Sequence, residues 1–166
     1  LRDQTGDPWL KLTDLGIAKA FAHKALRSTA PRGTVAYSAP EQLGSLLSTL
    51  TPPQGRPIAT CVSPATDVWA FGLIAYEALT GHEAGQYWSV EDATELPQRI
   101  TMEPLALPSS RAGALAEYLP KGFDDWFMRS LQADARQRWQ SIRQAVDNLA
   151  ALFPKSARVP VTPRTL

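Results

Sequence analysis

The sequence has few of the residues that point to a partner or a compartment. It contains one cysteine, Cys61, two histidines and two methionines among 166 residues, and its formal net charge is +1. A single cysteine excludes an internal disulfide and favours a reducing compartment, so a cytoplasmic location is expected. The small net charge argues against a general electrostatic attraction to nucleic acid or to an anionic membrane. No nucleic-acid partner is therefore predicted.

Long hydrophobic runs are also scarce. The longest apolar stretch, Val68 to Leu79, is interrupted by Glu77 and falls short of the roughly 20 residues that a membrane-spanning helix needs. We therefore expect no membrane span within this chain and predict a core helix here. The first residues, LRDQTGDPW, contain no Met, basic region or apolar region, which is unlike a targeting signal. Such a start is typical of a piece of a longer protein, whose membrane anchor, if any, would lie in other segments.

Helix signals dominate the middle of the chain. The whole chain is 44% hydrophobic and 20% charged, as globular domains are. Pro40 can occupy the first turn of a helix through Leu43. Ser63 is a good N-cap directly before Pro64, and apolar residues then continue with few interruptions to Gly81. A helix that is apolar on nearly every side is predicted to be central.

The C-terminal half contains two further helix signals. Aromatic and aliphatic residues spaced by three or four predict a helix over 122–132. Ser141 and Gln144 have the spacing of a capping box. An apolar stripe follows them, so the last helix is predicted to begin after Ser141 and to end near Phe153.

Several stretches are less regular. Residues 91–102 predict an amphipathic helix in which Pro97 is a break or a late start, and residues 104–115 are predicted to be a loop. The region 45–64 is rich in proline and hydroxyl residues and predicts a long surface insertion. Turn residues 5–8, followed by apolar residues, predict a short β-hairpin at the N-terminal end. The segment 154–166 has three prolines and three basic residues, which is the composition of a linker or tail.

Four motifs occur in an order that is typical of one known family. They are KLTDLGIAK at 11–19, GTVAYSAPEQ at 33–42, TDVWAFG at 66–72 and QADARQRWQS at 132–141. Together they resemble the C-terminal lobe of a eukaryotic-type serine/threonine protein kinase, especially the bacterial members, from about Leu10 to Phe153. The resemblance implies a mainly α fold with the short hairpin at one end, and an α+β fold for the full parent domain. It assigns residues 1–153 to the kinase lobe.

The resemblance implies roles for three residues near the N-terminus. Asp14 would bind Mg²⁺, which bridges the phosphates of ATP, and Gly16 would permit the backbone bend behind the metal. Leu15 replaces the usual Phe of this motif and would fill the same apolar slot. Thr34 would position the substrate and mark specificity for Ser and Thr. The alternatives are an Asx-turn residue or helix cap for Asp14, and a simple turn residue for Thr34.

The segment 23–32 corresponds to the activation loop of the family. Ser28 and Thr29 are the hydroxyl residues predicted to be phosphorylated there, including by autophosphorylation. A phosphate at either position could order the loop by pairing with arginines. The alternative is a solvated basic loop whose hydroxyl residues have no such role.

Three charged residues have structural roles by resemblance. Glu41 and Arg138 would form a buried ion pair that ties the substrate loop to the base of the lobe. Asp67 would accept hydrogen bonds from the backbone of the catalytic loop. A plain acidic residue at a helix start would look the same in sequence, because carboxylates are favoured there.

Parts of a complete kinase are missing from these residues. The 166 residues contain no glycine-rich phosphate loop, strand lysine with its glutamate partner, or His-Arg-Asp catalytic loop. ATP and Mg²⁺ binding would therefore require a further N-terminal lobe, and the fragment alone is expected to be inactive. The parent is predicted to transfer the γ-phosphoryl group of ATP to Ser or Thr of protein substrates. The alternatives are a pseudokinase or regulatory protein-binding module, and a truncated remnant.

Overall fold

The computed structural model describes residues 35–47, 62–82, 84–90 and 92–154. Contacts divide the chain into two units, Leu1–Ala30 and Pro31–Leu166, and all the described residues belong to the second. The predicted β-hairpin and the tail beyond Pro154 lie outside the described residues, so both stay predictions.

The regular elements within these four ranges are all helical, which confirms the mainly α prediction. The α-helices are α1 (Pro40–Leu47), α2 (Pro64–Thr80), α3 (Ala84–Trp88), α4 (Leu96–Met102), α5 (Pro108–Ala112), α6 (Phe123–Ser130) and α7 (Ile142–Ala151). Short 3₁₀ turns cover Ala93–Glu95, Gly113–Tyr118 and Ala135–Gln137.

The longest of these helices, α2, begins and ends where its sequence signals predict. Ser63 has the extended backbone of an N-cap, with φ −140° and ψ 172°. Its N–H donates to Thr66 Oγ1 at 3.0 Å, and Thr66 N–H returns a bond to the Ser63 carbonyl at 2.9 Å. At the other end Gly81 has φ +72°, and its N–H donates to the Glu77 carbonyl at 2.7 Å. Only glycine adopts this left-handed conformation without strain, which fixes the end of the helix.

The core surrounds α2, which contacts α3, α6 and α7. Val68, Trp69, Leu73 and Tyr76 of α2 are all buried. Ile74 is the exception, because its side chain is 51% exposed. The helix therefore lies at the centre of the described core but leaves one large apolar side chain exposed.

Aromatic side chains join α2 to its neighbours. The rings of Trp69 and Trp88 are stacked at 6.1 Å, and the Tyr87 ring lies 5.4 Å from Tyr76 and 5.0 Å from Phe127. Such pairs stabilise a core beyond the area that they bury. The Tyr87 hydroxyl donates to the Ala106 carbonyl at 2.8 Å, and burial raises the pKa of Tyr87 far above its usual value.

The last two helices are held together by a buried hydrogen bond from Trp126 Nε1 of α6 to the Ala145 carbonyl of α7 at 2.9 Å. The Ser141 hydroxyl accepts from Gln144 N–H at 3.1 Å, as the capping signal predicts. The Gln144 side chain accepts from Gln140 N–H at 2.9 Å, one residue earlier than in a standard capping box. The helix itself ends at Ala151.

The structure tests two boundary predictions. Within 91–102, a 3₁₀ turn precedes α4 and Pro97 lies in the first turn of that helix, which confirms the late start at Pro97 and shortens the helix. The loop predicted over 104–115 is wrong, since α5 and a 3₁₀ turn occupy most of it. Asp124 of α6 accepts from the Ser109 N–H at 2.9 Å and from its hydroxyl at 2.6 Å. This long-range contact fixes α5 and has no local signal in the sequence.

The beginning of the predicted insertion is also revised. The insertion was expected from residue 45, but α1 continues to Leu47. The positions 48–61 lie outside the described residues. The role of this insertion therefore stays a prediction.

Candidate functional site

A buried ion pair connects the beginning of α1 to the segment before α7. Arg138 Nη1 lies 2.8 Å from Glu41 Oε1, and Arg138 Nη2 lies 2.8 Å from Glu41 Oε2. The two side chains are 0% and 1% exposed. Two parallel charge-assisted hydrogen bonds fix both the distance and the orientation of the two groups. The structure thus brings together two of the residues that the sequence singles out.

The remaining polar atoms of the pair also have partners. Arg138 Nε donates to the Gln132 carbonyl at 2.7 Å, and Nη1 donates to the Ala65 carbonyl at 3.0 Å. The Thr66 hydroxyl donates to Glu41 Oε1 at 2.8 Å. A buried charge is tolerated only when such partners replace water. The pair therefore ties α1, the first turn of α2 and the segment 132–138 into one junction.

Electrostatics at this junction favours the charged carboxylate. Burial by itself would raise the pKa of Glu41, but the hydrogen bonds and positive charge of Arg138, with help from its own backbone N–H and from Thr66, hold that pKa below 4.5. Arg138 also lies over the Trp69 ring, with its Cζ 5.0 Å from the centroid. The guanidinium is thus held between a carboxylate and an aromatic face.

A local turn presents Arg138 to its partner. Asp134 accepts from Arg136 N–H at 3.0 Å and starts the 3₁₀ turn Ala135–Gln137. The Arg136 side chain also bonds the Asp134 carboxylate, which lowers the pKa of Asp134 to about 2. The turn places Arg138 at its end with an extended backbone, φ −73° and ψ 173°.

The segment just before Glu41 is anchored as well. Trp88 Nε1 donates to the Ala36 carbonyl at 2.8 Å in a buried contact. Ala39 N–H donates to the Gln42 side chain at 2.8 Å, and Ala36 and Ala39 are 1% and 0% exposed. Residues 35–41 thus have a defined path, held by α3 on one side and by Arg138 on the other.

An open groove lies beside this segment. It is lined by Tyr37, Ile74, Glu77 and Ala78. The Tyr37 hydroxyl donates to the Glu77 carboxylate across the groove. Ile74 of α2 is an exposed aliphatic side chain in its lining.

Of the other residues that the sequence singles out, the structure describes only Asp67. Asp67 lies in the first turn of α2 and is exposed, and its side chain makes no hydrogen bond within the described parts of the chain. The remaining five fall outside the described residues, so their roles stay predictions. They are Asp14, Gly16, Ser28, Thr29 and Thr34.

Sequence reasoning missed two contributors to the junction. Thr66 was not singled out, although a threonine at the third position of a helix whose N-cap is serine is a recognisable capping signal. Trp88 was not singled out either, because its hydrogen bond to Ala36 joins residues 52 positions apart.

The described ranges contain neither a candidate metal site nor a membrane-spanning helix. They contain no group of three His, Cys, Asp or Glu residues that could hold a metal ion. In the same ranges, no helix combines the length and the apolar character needed to cross a bilayer.

Curated relatives share segments of this chain. It is 26% identical over 147 residues to a probable serine/threonine-protein kinase of Clostridium acetobutylicum, which covers 88% of this chain and 19% of the relative. It is 30% identical over 117 residues to serine/threonine-protein kinase PknL of Mycobacterium tuberculosis, which covers 70% of this chain and 24% of the relative. It is 40% identical over 78 residues to serine/threonine-protein kinase drp72 of Corynebacterium efficiens, which covers 46% of this chain and 12% of the relative.

The chain therefore spans less than a quarter of the length of each of these relatives. No solved structure matches it significantly. The family profile described as protein kinase domain matches residues 1–149, which is most of the chain. The four sequence motifs, the helical core and this match agree, and the chain belongs to the protein kinase domain family.

Proposed function

We propose that these residues are the C-terminal part of a serine/threonine protein kinase. The complete protein would transfer the γ-phosphoryl group of ATP to Ser or Thr side chains of protein substrates, including its own. Support comes from the family and from the three relatives above, which are named as serine/threonine-protein kinases. The observation that carries the proposal is the anchored path of residues 35–41, which lie within the motif that resembles a kinase substrate loop.

Anchoring of this kind suits phosphoryl transfer. The reaction depends mostly on the positioning of two substrates and on neutralising charge, so a substrate-binding loop must have few conformations. Trp88 fixes Ala36, and Arg138 fixes Glu41. Thr34 immediately precedes this segment in sequence, and we propose that it positions the substrate hydroxyl.

Binding of ATP and Mg²⁺ by the complete protein is proposed from the sequence motifs. Asp14 would hold the ion, and its chemistry fits, because a carboxylate oxygen is a donor that Mg²⁺ prefers. Gly16 would allow the backbone to bend near it. When bound, Mg²⁺ neutralises part of the charge of the phosphates. Within this chain, the part that we assign to the described residues is to shape and hold the substrate-binding side.

Activity would require more than these 166 residues, since no catalytic base of the His-Arg-Asp type occurs among them. The general base and the phosphate-binding loop would come from the N-terminal part of a complete kinase domain. We further propose a cytoplasmic location for this segment, because its only cysteine is Cys61.

The direct test is an assay of the complete natural protein that carries these residues. The protein is incubated with Mg²⁺ and ATP labelled in the γ-phosphate, with casein as acceptor, and the phosphorylated residue type is identified. We expect phosphoserine and phosphothreonine, and a loss of at least about 100-fold with Asp14→Ala. Asp125→Ala, which changes an exposed carboxylate of α6, is the matched control and should keep full activity.

Three results would contradict the proposal. The absence of transfer by the folded wild-type protein would favour a pseudokinase, a binding module or a remnant. Transfer that survives Asp14→Ala would remove the metal role of Asp14. Phosphotyrosine as the main product would contradict the specificity that is proposed for Thr34.

A further inference from the structure

Ser89 has an unusual backbone conformation. It directly follows α3, its side chain is exposed, and its φ is +52°. Within the described ranges it is the one residue other than glycine with a positive φ. Glycine or asparagine is usual at such a position after a helix, because other side chains are disfavoured there. A serine at this position therefore requires a further explanation, and strained positions often have functional roles.

The Ser89 hydroxyl faces an arginine from a distant element. Arg111 Nη1 of α5 donates to Ser89 Oγ at 2.6 Å, and the two residues are 22 positions apart. Ser89 Oγ in turn lies 3.3 Å from the Gln86 carbonyl. An exposed hydroxyl thus lies within direct hydrogen-bond distance of a positive charge.

No carboxylate of the described residues forms an ion pair with Arg111 within 4.0 Å. Among the described residues, ion pairs within 4.0 Å involve four other arginines, and Arg111 is in none of them. Arg111 is half-buried, and its Nε–H is buried without an acceptor in the described part of the chain. A buried donor without a partner is rare in folded proteins. The neutral hydroxyl of Ser89 satisfies one donor but leaves the charge uncompensated.

We propose that Ser89 is a phosphorylation site and that Arg111 holds the resulting phosphoserine. In the reaction, Ser89 Oγ forms a bond to the γ-phosphorus of ATP while the bond from that phosphorus to the bridging oxygen breaks and ADP leaves. The hydroxyl proton passes to the base of the phosphorylating kinase. The product carries a charge of about −1.5 to −2 and three acceptor oxygens. These oxygens would accept from the guanidinium in charge-assisted hydrogen bonds.

The phosphorylated turn would lie next to the anchored segment. Trp88, the preceding residue, donates to the Ala36 carbonyl. A phosphoserine held by Arg111 would strengthen the link between the end of α3 and α5. The site does not depend on which serine kinase acts, so it stands apart from the function proposed above.

The first experiment measures the ionisation of the phosphate. Phosphoserine is incorporated genetically at position 89 of the full chain and titrated by phosphorus NMR. The control is phosphoserine at 110, an exposed position of α5 directly before Arg111, whose hydroxyl donates to the Leu107 carbonyl at 2.7 Å, while the Arg111 guanidinium donates to Ser89 instead. We expect the second pKa of the phosphate at 89 to lie at least about 0.5 below that at 110, because a neighbouring positive charge favours the dianion.

Two Arg111 variants sharpen this measurement. Arg111→Gln should raise the pKa of the phosphate at 89 to the value at 110, while Arg111→Lys should retain part of the difference. Equal pKa values at 89 and 110 in the chain with Arg111 would overturn the proposal. That comparison needs no substitution of Arg111 and so stays valid even if Arg111→Gln fails to fold.

The second experiment asks whether the modification occurs. Ser89 is examined by mass spectrometry in the protein isolated from its own cells, and in purified complete protein incubated with Mg²⁺ and ATP beside Asp14→Ala. Phosphate on Ser89 in cells supports the proposal, and its presence in the purified reaction would identify the protein itself as the kinase. Phosphate in cells alone would point to a separate kinase. Ser89 unmodified in both samples would overturn it.

Discussion

Helices α2 and α7 begin in the same way but lie in different environments. Each starts after a serine with an extended backbone, Ser63 at φ −140° and Ser141 at φ −152°. Most of the apolar side chains of α2 are buried, whereas Ala145 is the one fully buried residue within α7. Similar start signals thus lead to a central helix in one case and a surface helix in the other. The difference follows the apolar pattern after the cap, because α2 is apolar on nearly every side whereas α7 has a single apolar stripe.

The arginine–carboxylate pairs of the two regions show the same contrast. The Glu41–Arg138 pair, which contacts the first turn of α2, is almost completely buried, while Arg143 and Asp147 on α7 are 89% and 66% exposed. Both pairs have opposite charges within 4 Å. The exposed pair is solvated and screened, whereas a buried charge that loses its partner has no water to replace it. Burial, more than distance, should decide what each pair contributes.

The largest effect is expected from Arg138→Ala. This change leaves the Glu41 carboxylate buried without its partner and should lower the free energy of unfolding by roughly 3–5 kcal/mol. Urea unfolding of wild-type and variant chains measures it. The double variant Glu41→Leu/Arg138→Met, which removes both charges, should lose less than Arg138→Ala. A double variant less stable than Arg138→Ala would show that the pair itself is strongly favourable.

A related effect is expected on acidification. Because the pKa of Glu41 is held below 4.5 in the folded chain, its contribution to stability is fully present above the unfolded pKa and is lost as pH falls through the folded pKa. Unfolding free energies measured from pH 7 downward should therefore fall more steeply below pH 4.5 in the wild type than in Glu41→Leu/Arg138→Met. Subtracting one curve of unfolding free energy against pH from the other cancels the contributions of other carboxylates, such as Asp134. Parallel curves would contradict this role of Glu41.

An intermediate effect is expected from Gly72→Ala in α2. A Cβ at this position would lie 2.5 Å from Leu131 Cδ1 and 3.0 Å from Ser130 Cβ, so the buried Leu131 side chain or the end of α6 would have to move. We expect a loss of about 1–3 kcal/mol in the free energy of unfolding. Ala151→Leu at the exposed end of α7 is the matched enlargement and should change it by less than about 0.5 kcal/mol. Equal effects of the two changes would contradict the contrast between the helices.

The smallest effect is expected from Arg143→Ala. The pair with Asp147 is exposed on both sides, and such pairs at i,i+4 contribute about 0.3–0.5 kcal/mol or less. Unfolding in low salt and in 1 M salt should show a small difference that disappears in high salt, since the screening length there is about 3 Å. A loss comparable to that of Arg138→Ala would break the comparison.

The sequence predicts four of the α-helices well, namely α1, α2, α6 and α7. Pro40, the Ser63–Pro64 pair and Ser141 each mark a helix start within a residue, because caps and proline act through the backbone of their own turn. Helices α3 and α5 were missed. Each is five residues long, too short for a periodic signal, and each is fixed by distant contacts. Tyr87 packs against α2 and α6, and Asp124 caps α5.

The candidate site was predictable only in part. Glu41 and Arg138 carry no mutual signal in the sequence, because they are 97 positions apart, and their pairing was expected only from the family resemblance. The support from Thr66, and the bond from Trp88 to Ala36, depend on tertiary packing and could not be derived from spacing. The roles of Asp14 and Thr34 still depend on the sequence motifs.

The 97-position separation of Glu41 and Arg138 has a consequence for the order of events during protein synthesis. A ribosome adds about 5–20 residues per second, so Arg138 is made about 5–20 s after Glu41. During that interval α1 has been synthesised, but its carboxylate has no arginine to meet. The junction at the base of the lobe can therefore close only when nearly the whole lobe has been made.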